Sequence, residues 1–239
     1  MKLNVFTSTT KDGIMSKDKR YFSSLTKNEI ELLYKTTISR FLNKSNLTYE
    51  SAVFLNDNNT KITSRVVTKE KKKYKDKILL LKSTNPNIPV LIETSDDPVI
   101  VATASLKDIK VSAIALGTIE NINNNILHEM VESLIKETNA APFEMTFYIT
   151  ACPNKENYIL KDINQLTNKA IWDKSYDKKK KQYYLDIRYA IFNTLIKEIV
   201  DPNYIYFDTK DTVTNPNLYS DYSNVGKNLV CVVYTNEEV

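Results

Sequence analysis

The chain is poor in the residues that usually build metal and nucleophile sites. Its 239 residues include one histidine, two cysteines, one tryptophan and three glycines. A single histidine cannot form a histidine-rich metal site, and His128 is predicted to lie at the surface or boundary of a helix. Cys152 and Cys231 each sit in an apolar stretch, which favours core positions in a reducing cytoplasm, and a disulfide between them stays open.

Long apolar runs and a strong charge of one sign are also missing. No apolar run reaches the roughly 18 residues that a membrane span needs, so none is predicted. The segment Met1–Phe6 runs straight into polar residues and does not resemble a signal peptide, which favours a cytoplasmic protein. A formal net charge of +4 is mild for this length and does not indicate a nucleic-acid partner. The hydrophobic content of 42% suffices for a sizeable core.

What the chain does contain is a series of short strand-like runs and a few amphipathic helices. Three long helices are predicted at Asn28–Leu42, Ile122–Thr138 and Arg188–Val200, with a shorter one around Lys161–Asp173. Such a mixture predicts an α/β (α+β) fold, with mixed β-sheets flanked by helices in one domain over residues 1–239. The predicted strands are apolar or β-branched runs bounded by Asn, Asp or Pro: Ser51–Leu55, Lys61–Val67, Lys77–Leu81, Val90–Thr94, Pro98–Ala104, Lys110–Leu116, Glu144–Ala151, Tyr204–Asp208 and Asn228–Thr235.

Two lysine-rich runs interrupt this pattern, at Lys69–Lys75 and Lys178–Lys181. Neither contains glycine or an aromatic ladder, so solvated loops are the simpler interpretation. An anion-binding patch is the alternative, although the two runs lie far apart in sequence.

Three further stretches carry motif-like residues: Phe54–Thr60, Thr94–Val99 and Ser112–Thr118. They resemble the motifs N-Q-V-H-G, T-A-D-C-x-P and H-A-G-W-R-G-T of the laccase-domain family, once called multicopper polyphenol oxidoreductases and now regarded as purine nucleoside phosphorylases. Other segments resemble further family motifs in family order, and Gly13, Gly117 and Gly226 fall where that family places glycine. These segments are Thr9–Ser16, Ile149–Leu160, Tyr184–Ile187 and Asn215–Tyr222.

The resemblance implies a metal site for phosphorolysis and adenosine deamination of purine nucleosides, with zinc, or copper in the older interpretation. The family's His, Cys and His ligands align with Asn59, Asp97 and Ser112. An Asn amide and a protonated Ser hydroxyl are poor zinc ligands, so only Asp97 could bind a metal strongly, and no metal cofactor is expected. The pocket neighbours implied by the alignment are Lys11, Asp96, Gly117 and Thr118, with Asp96 interpreted as structural.

The family's phosphate-handling arginines are replaced as well, because they align with Lys11, Leu116, Ser223 and Asn224. No confident catalytic residue is therefore assigned. The sequence favours a divergent homologue with lost or strongly reduced activity. The alternatives are a surviving altered enzyme, a non-catalytic module that binds a purine nucleoside or related small molecule, and a protein-interaction module. The oligomeric state is not indicated.

Overall fold

The computed structural model describes residues 1–55, 61–160, 162–179 and 182–236. The first strand forms one edge of a five-stranded sheet and pairs along its whole length with the strand nearest the C-terminus, so that Lys2 lies opposite Thr235 and Thr7 opposite Val230. The order in this sheet is β1-β14-β6-β2-β4. Its strands are β1 (Lys2–Thr7), β2 (Val53–Leu55), β4 (Lys73–Tyr74), β6 (Val90–Thr94) and β14 (Asn228–Thr235).

A six-stranded sheet and a small three-stranded sheet complete the β structure. The six-stranded sheet has the order β13-β9-β7-β8-β5-β3, and the small sheet has the order β10-β12-β11. The remaining strands are β3 (Ser64–Val66), β5 (Ile78–Lys82), β7 (Val99–Leu106), β8 (Ile109–Leu116), β9 (Thr146–Ile149), β10 (Ile159–Leu160), β11 (Tyr176–Lys179), β12 (Gln182–Leu185) and β13 (Ile205–Phe207).

The described residues form five α-helices, and the three long ones cover the outer faces of the two large sheets. Helix α1 (Lys27–Asn43) covers the five-stranded sheet, and α3 (Ile126–Thr138) and α5 (Ile187–Lys197) cover the six-stranded sheet. Helices α2 (Ile119–Asn123) and α4 (Lys169–Trp172) are short. Within the described part of the chain, no helix has the length and apolar character needed to cross a membrane.

Side chains that alternate between the two faces of each strand explain how the sheets bury both of their faces. In β14, Val230, Val232 and Tyr234 pack between the two sheets, whereas the intervening residues face α1. In β8, Ile114 faces the other sheet and Ala113 and Ala115 face the helices. Because successive side chains point to opposite faces, a continuous apolar strand forms two cores at once. The layers are therefore helix, sheet, sheet and helix.

The predicted mixed α/β fold is confirmed, with Val90–Thr94 and Asn228–Thr235 at their predicted bounds. The single helix predicted at Ile122–Thr138 is wrong in one respect, because the chain breaks before α3. Asn125 takes a left-handed φ of 62°, a conformation that asparagine adopts more readily than most residues, so α2 and α3 are separate helices.

Two other predictions needed correction. The shorter helix predicted around Lys161–Asp173 is reduced to a 3₁₀ turn at Ile163–Gln165 and the four-residue α4, and Lys161 lies outside the described residues. The lysine runs are not simply loops: Lys73 belongs to β4, and Lys178 and Lys179 belong to β11. Lysine at a strand edge is compatible with pairing, since its ammonium group reaches water.

Candidate functional site

Ser112 lies in the middle of β8, inside the core between the two sheets. Its side chain has no exposure to solvent. Its hydroxyl is hydrogen-bonded to the hydroxyls of Thr103, at 2.9 Å, and Tyr234, at 2.7 Å. These three hydroxyl groups therefore satisfy one another in an otherwise apolar layer, and Ser112 does not line a cavity.

Asp97 lies in the turn between β6 and β7, and the strand register separates it from Ser112. Ser112 pairs with Thr103, whereas Leu116, four residues further along β8, pairs with Val99. Four strand residues span about 13 Å, and Asp97 lies two residues beyond Val99. The structure thus does not bring Ser112 and Asp97 together, contrary to the convergence implied by the alignment, and Asn59 lies outside the described residues. The end of β8, at Leu116, is what approaches Asp97.

Asp96 holds two loops together. Its Oδ1 accepts a hydrogen bond from the Thr212 hydroxyl at 2.6 Å, and its Oδ2 accepts one from the Asp221 amide at 2.8 Å. Burial raises the pKa of Asp96, although these hydrogen bonds act in the opposite direction. This geometry gives Asp96 a positioning role in the structure.

Gly117 and Thr118 shape the exit from β8. The Gly117 amide donates to the Pro98 carbonyl at 2.7 Å, and a Cβ on Gly117 would lie 3.0 Å from that same oxygen. Thr118 caps α2, accepting a hydrogen bond from the Asn121 amide at 3.1 Å. Lys11, by contrast, is exposed on a 3₁₀ turn. The positions that the alignment grouped into one pocket therefore include residues that shape the end of β8 and residues that lie elsewhere in the fold.

A cavity of about 240 Å³ opens between α1 and the five-stranded sheet, beside the end of β8. Its apolar floor is formed by core residues of β2 and β6 together with the end of β8. Among the described residues, three aromatic rings and three charged side chains also line the cavity. The lining residues are Lys17, Tyr34, Tyr49, Phe54, Leu55, Lys73, Leu91, Ile92, Glu93 and Leu116.

Glu93 contributes an acidic side chain to this cavity. It stands on β6 among apolar residues, and its Oε1 accepts a hydrogen bond from the Tyr34 hydroxyl at 2.6 Å. Burial raises the pKa of Glu93, while the Tyr34 hydrogen bond and the charge of Lys17 partly counteract that effect. A carboxyl group whose charged form is disfavoured by burial, in a cavity, is typical of a functional site.

The aromatic residues form one side of the same cavity. The centroid of the Phe54 ring lies 6.3 Å from that of Tyr34 and 5.8 Å from that of Tyr49. The Lys17 ammonium lies 4.7 Å from the Tyr34 ring centroid. A flat ligand could therefore contact aromatic faces and hydrogen-bond a carboxyl group at the same time.

The whole architecture is similar to three solved structures. The hypothetical protein YfiH of Bacillus licheniformis is 15% identical, with a TM-score of 0.73 over 86% of this chain and 82% of that one. YlmD of Geobacillus stearothermophilus is 15% identical, with a TM-score of 0.72 over 84% and 80%. The Neisseria meningitidis protein NMB0706, of family DUF152, is 13% identical, with a TM-score of 0.63 over 84% and 81%.

The chain has the laccase-domain fold. This result confirms the family resemblance predicted from the sequence motifs at the level of fold. No protein-family model matches the sequence, and no curated protein is similar to it in sequence. The laccase-domain fold is therefore retained with little of the sequence that usually accompanies it.

The described residues of this protein do not fit a zinc or copper ion. No three His, Cys, Asp or Glu side chains in residues 1–55, 61–160, 162–179 and 182–236 are grouped to hold a metal. His128 is half exposed and paired with Glu198 at 3.0 Å. Both cysteines are free and buried, and burial raises the pKa of Cys152 to about 12. Neither thiol is suited to act as a metal-binding or nucleophilic thiolate at neutral pH.

The motif resemblance did not point to the cavity between α1 and the five-stranded sheet. The local signal was Glu93, a charged residue near the end of the apolar run Val90–Thr94. A charged residue at that position is expected to be satisfied by a partner or used by a ligand. Its partner, Tyr34, comes from a helix 59 residues earlier, so no local pattern could reveal the pair.

Proposed function

We propose that this protein binds a purine nucleoside, or a related flat heterocycle, in the cavity between α1 and the five-stranded sheet. We also propose that the metal-dependent phosphorolysis and deamination implied by the family resemblance are lost or strongly reduced. The observation that carries the binding proposal is the combination of aromatic walls with Glu93, whose half-buried carboxyl group lies on the wall of the cavity.

A purine base matches the chemistry of this cavity. Its π face can pack on Phe54 and Tyr49, a contact worth about 1–3 kcal/mol per base in other proteins. Its ring N–H and amino groups are donors, and the Glu93 carboxyl group is an acceptor. Because burial raises the pKa of Glu93, a donor from the ligand would relieve part of the cost of keeping that group charged.

The proposed loss of metal-dependent activity follows from the side chains that occupy the positions of the family's metal ligands. Asp97 is the one strong metal-ligating side chain among the aligned positions, and Ser112 is committed to Thr103 and Tyr234. Without a metal, the pKa of the attacking water is not lowered toward neutrality as it is for a zinc-bound water. A carboxylate acting alone as a general base typically contributes only about 10²–10⁴-fold in rate.

Binding can be tested by isothermal titration calorimetry with adenosine and inosine. Phe54→Ala should weaken binding about tenfold or more, because it removes a stacking face. Phe143→Ala is the matched control, since Phe143 is 56% exposed and does not line the cavity. Equal affinities for the wild type and Phe54→Ala would rule out this cavity as the binding site.

Glu93→Gln separates a functional from a structural role. Glutamine still accepts the Tyr34 hydrogen bond but carries no charge to desolvate, so the variant should be at least as stable as the wild type near neutral pH. It should nevertheless bind adenosine more weakly, because it loses a charged acceptor. A variant that is destabilised and binds normally would assign Glu93 to the scaffold alone.

Activity is tested with purified protein, adenosine and inosine, with and without phosphate and added zinc. Product formation is expected to stay at the level of a heat-inactivated control. Robust turnover that disappears in Asp97→Ala would show that this protein is catalytically active with an altered site.

A further inference from the structure

Resting on the proposed function, we infer that the ligand carries a phosphate group, so that the preferred class is a purine nucleoside monophosphate. The geometry that points to it is the pair of lysines, Lys17 and Lys73, on the exposed rim of the aromatic cavity. Neither lysine belongs to the segments that resemble the laccase-domain family.

The size of the cavity limits what can enter it. Its volume of about 240 Å³ is below the roughly 300–1,000 Å³ of pockets that enclose a whole drug-sized ligand. The base of a nucleotide would therefore occupy the cavity, and the sugar and its substituent would project from the opening. The chemistry of the rim consequently decides what the rest of the ligand is.

The charges fix the orientation of such a ligand. Glu93 is half-buried on the cavity wall, and its carboxylate would repel a phosphate placed beside it. Lys17 and Lys73 are both exposed, and Lys17 also covers the Tyr34 ring, with its ammonium 4.7 Å from the ring centroid. A base stacked near Tyr34 would thus leave its phosphate within reach of the rim.

An acidic residue of α1, Glu31, already pairs with one of these lysines. The Lys17 ammonium pairs with Glu31 at 2.5 Å, and both side chains are substantially exposed. The pKa of Glu31 is lowered mainly by its hydrogen bond to Lys17, with a smaller contribution from the charge of Lys73. Both lysines therefore already act on one anionic group, and a phosphate could take the place of that carboxylate with more charge and more acceptor oxygens.

Through Lys73, the lysine run Lys69–Lys75 contributes a positive charge to the cavity, which its sequence pattern alone did not indicate. The run Lys69–Lys75 reaches the cavity because β4 pairs with β2, placing Lys73 opposite Phe54. The run at Lys178–Lys181 enters a different sheet, with Lys178 and Lys179 on β11. Among the described residues of the two runs, Lys73 is the lysine that lines the aromatic cavity.

The test is calorimetric titration of the full chain with adenosine monophosphate and with adenosine. The monophosphate is expected to bind about tenfold more tightly at low salt, since charge-assisted hydrogen bonds contribute about that much, and the advantage should shrink as salt is added. Lys17→Gln and Lys73→Gln should each weaken monophosphate binding by a larger factor than adenosine binding, so that most of this advantage is lost. Lys136→Gln, an exposed change on α3, is the control for net charge.

Glu31→Gln should tighten monophosphate binding several-fold by releasing Lys17, and it should leave the affinity for adenosine unchanged.

Adenosine titrated in the presence of inorganic phosphate distinguishes a covalently attached phosphate from a free one. Equal affinity for adenosine and its monophosphate would overturn this inference while leaving the proposed function intact. An equal gain from free phosphate, or lysine variants that weaken both ligands alike, would also overturn it. Failure of adenosine to bind would count against the proposed function itself.

Discussion

Substituting Ser112 by alanine tests whether this residue belongs to the core, as the structure indicates, or to a pocket, as the alignment implied. In the structure, its hydroxyl bonds Thr103 Oγ1 at 2.9 Å and Tyr234 Oη at 2.7 Å. Both Ser112 and Tyr234 are fully buried. Ser112→Ala therefore removes two hydrogen bonds and deprives a buried tyrosine hydroxyl of a partner.

The size of the effect follows from those contacts. A net contribution of about 1 kcal/mol per hydrogen bond, or about 1–3 kcal/mol for an unsatisfied buried group, predicts a loss of about 2 kcal/mol of unfolding free energy. For a domain of this size that corresponds to a fall in Tm of about 4–8 °C. Tyr234→Phe should cost less, about 1 kcal/mol, because Ser112 and Thr103 remain bonded to each other.

The assay is urea unfolding of the two single variants and the double variant, followed by tryptophan fluorescence and circular dichroism. The double variant should lose less stability than the sum of the single losses, by about 0.5 kcal/mol or more, because the singles share one hydrogen bond. Full additivity, or a Ser112→Ala variant as stable as the wild type, would refute this account of the inter-sheet core.

Three further outcomes are expected. Ile199→Gly should stabilise the protein by about 1 kcal/mol in chemical denaturation, because Ile199 is exposed and held at a left-handed φ of 66° after α5. Gly226→Ala should lower the Tm by several degrees, since its Cβ would lie 2.4 Å from the Tyr219 ring. The hydrogen bond to Glu198 raises the pKa of His128, so the small stabilisation from this surface pair should be complete below about pH 6.5 and disappear as pH rises through the raised pKa. An NMR titration showing no drop in the His128 pKa on Glu198→Gln would contradict that assignment.

Much of the fold could be predicted from local pattern. The apolar run at Asn228–Thr235 and the capped helix after Thr26 appear in the structure where the sequence placed them, with Thr26 accepting from the Glu29 amide. The strand β1 was missed, because its alternation is weak and its partner is β14, at the other end of the chain. The strands of the three-stranded sheet were missed because they are short and because β11 contains two lysines, Lys178 and Lys179, which are more common in loops.

The candidate site was harder to predict than the fold. The family alignment implied that Ser112 lies beside Asp97, yet the β7–β8 register puts Leu116 at that end of the strand. A shift of a few residues along a strand moves a side chain by more than 10 Å. No composition or motif signal can detect such a shift, because register depends on pairing with a second strand.

The sequence by itself determined the alternation of apolar strands and amphipathic helices, the resemblance to laccase domains, and the shortage of metal-ligating residues. These properties follow from residue type and local spacing. Only the tertiary structure decided that Ser112 is a core hydroxyl and that Glu93 meets Tyr34 in a cavity with Lys17 and Lys73 at its rim. Those residues come from separate elements, and their distances depend on strand register and helix packing, which no local stretch of sequence encodes.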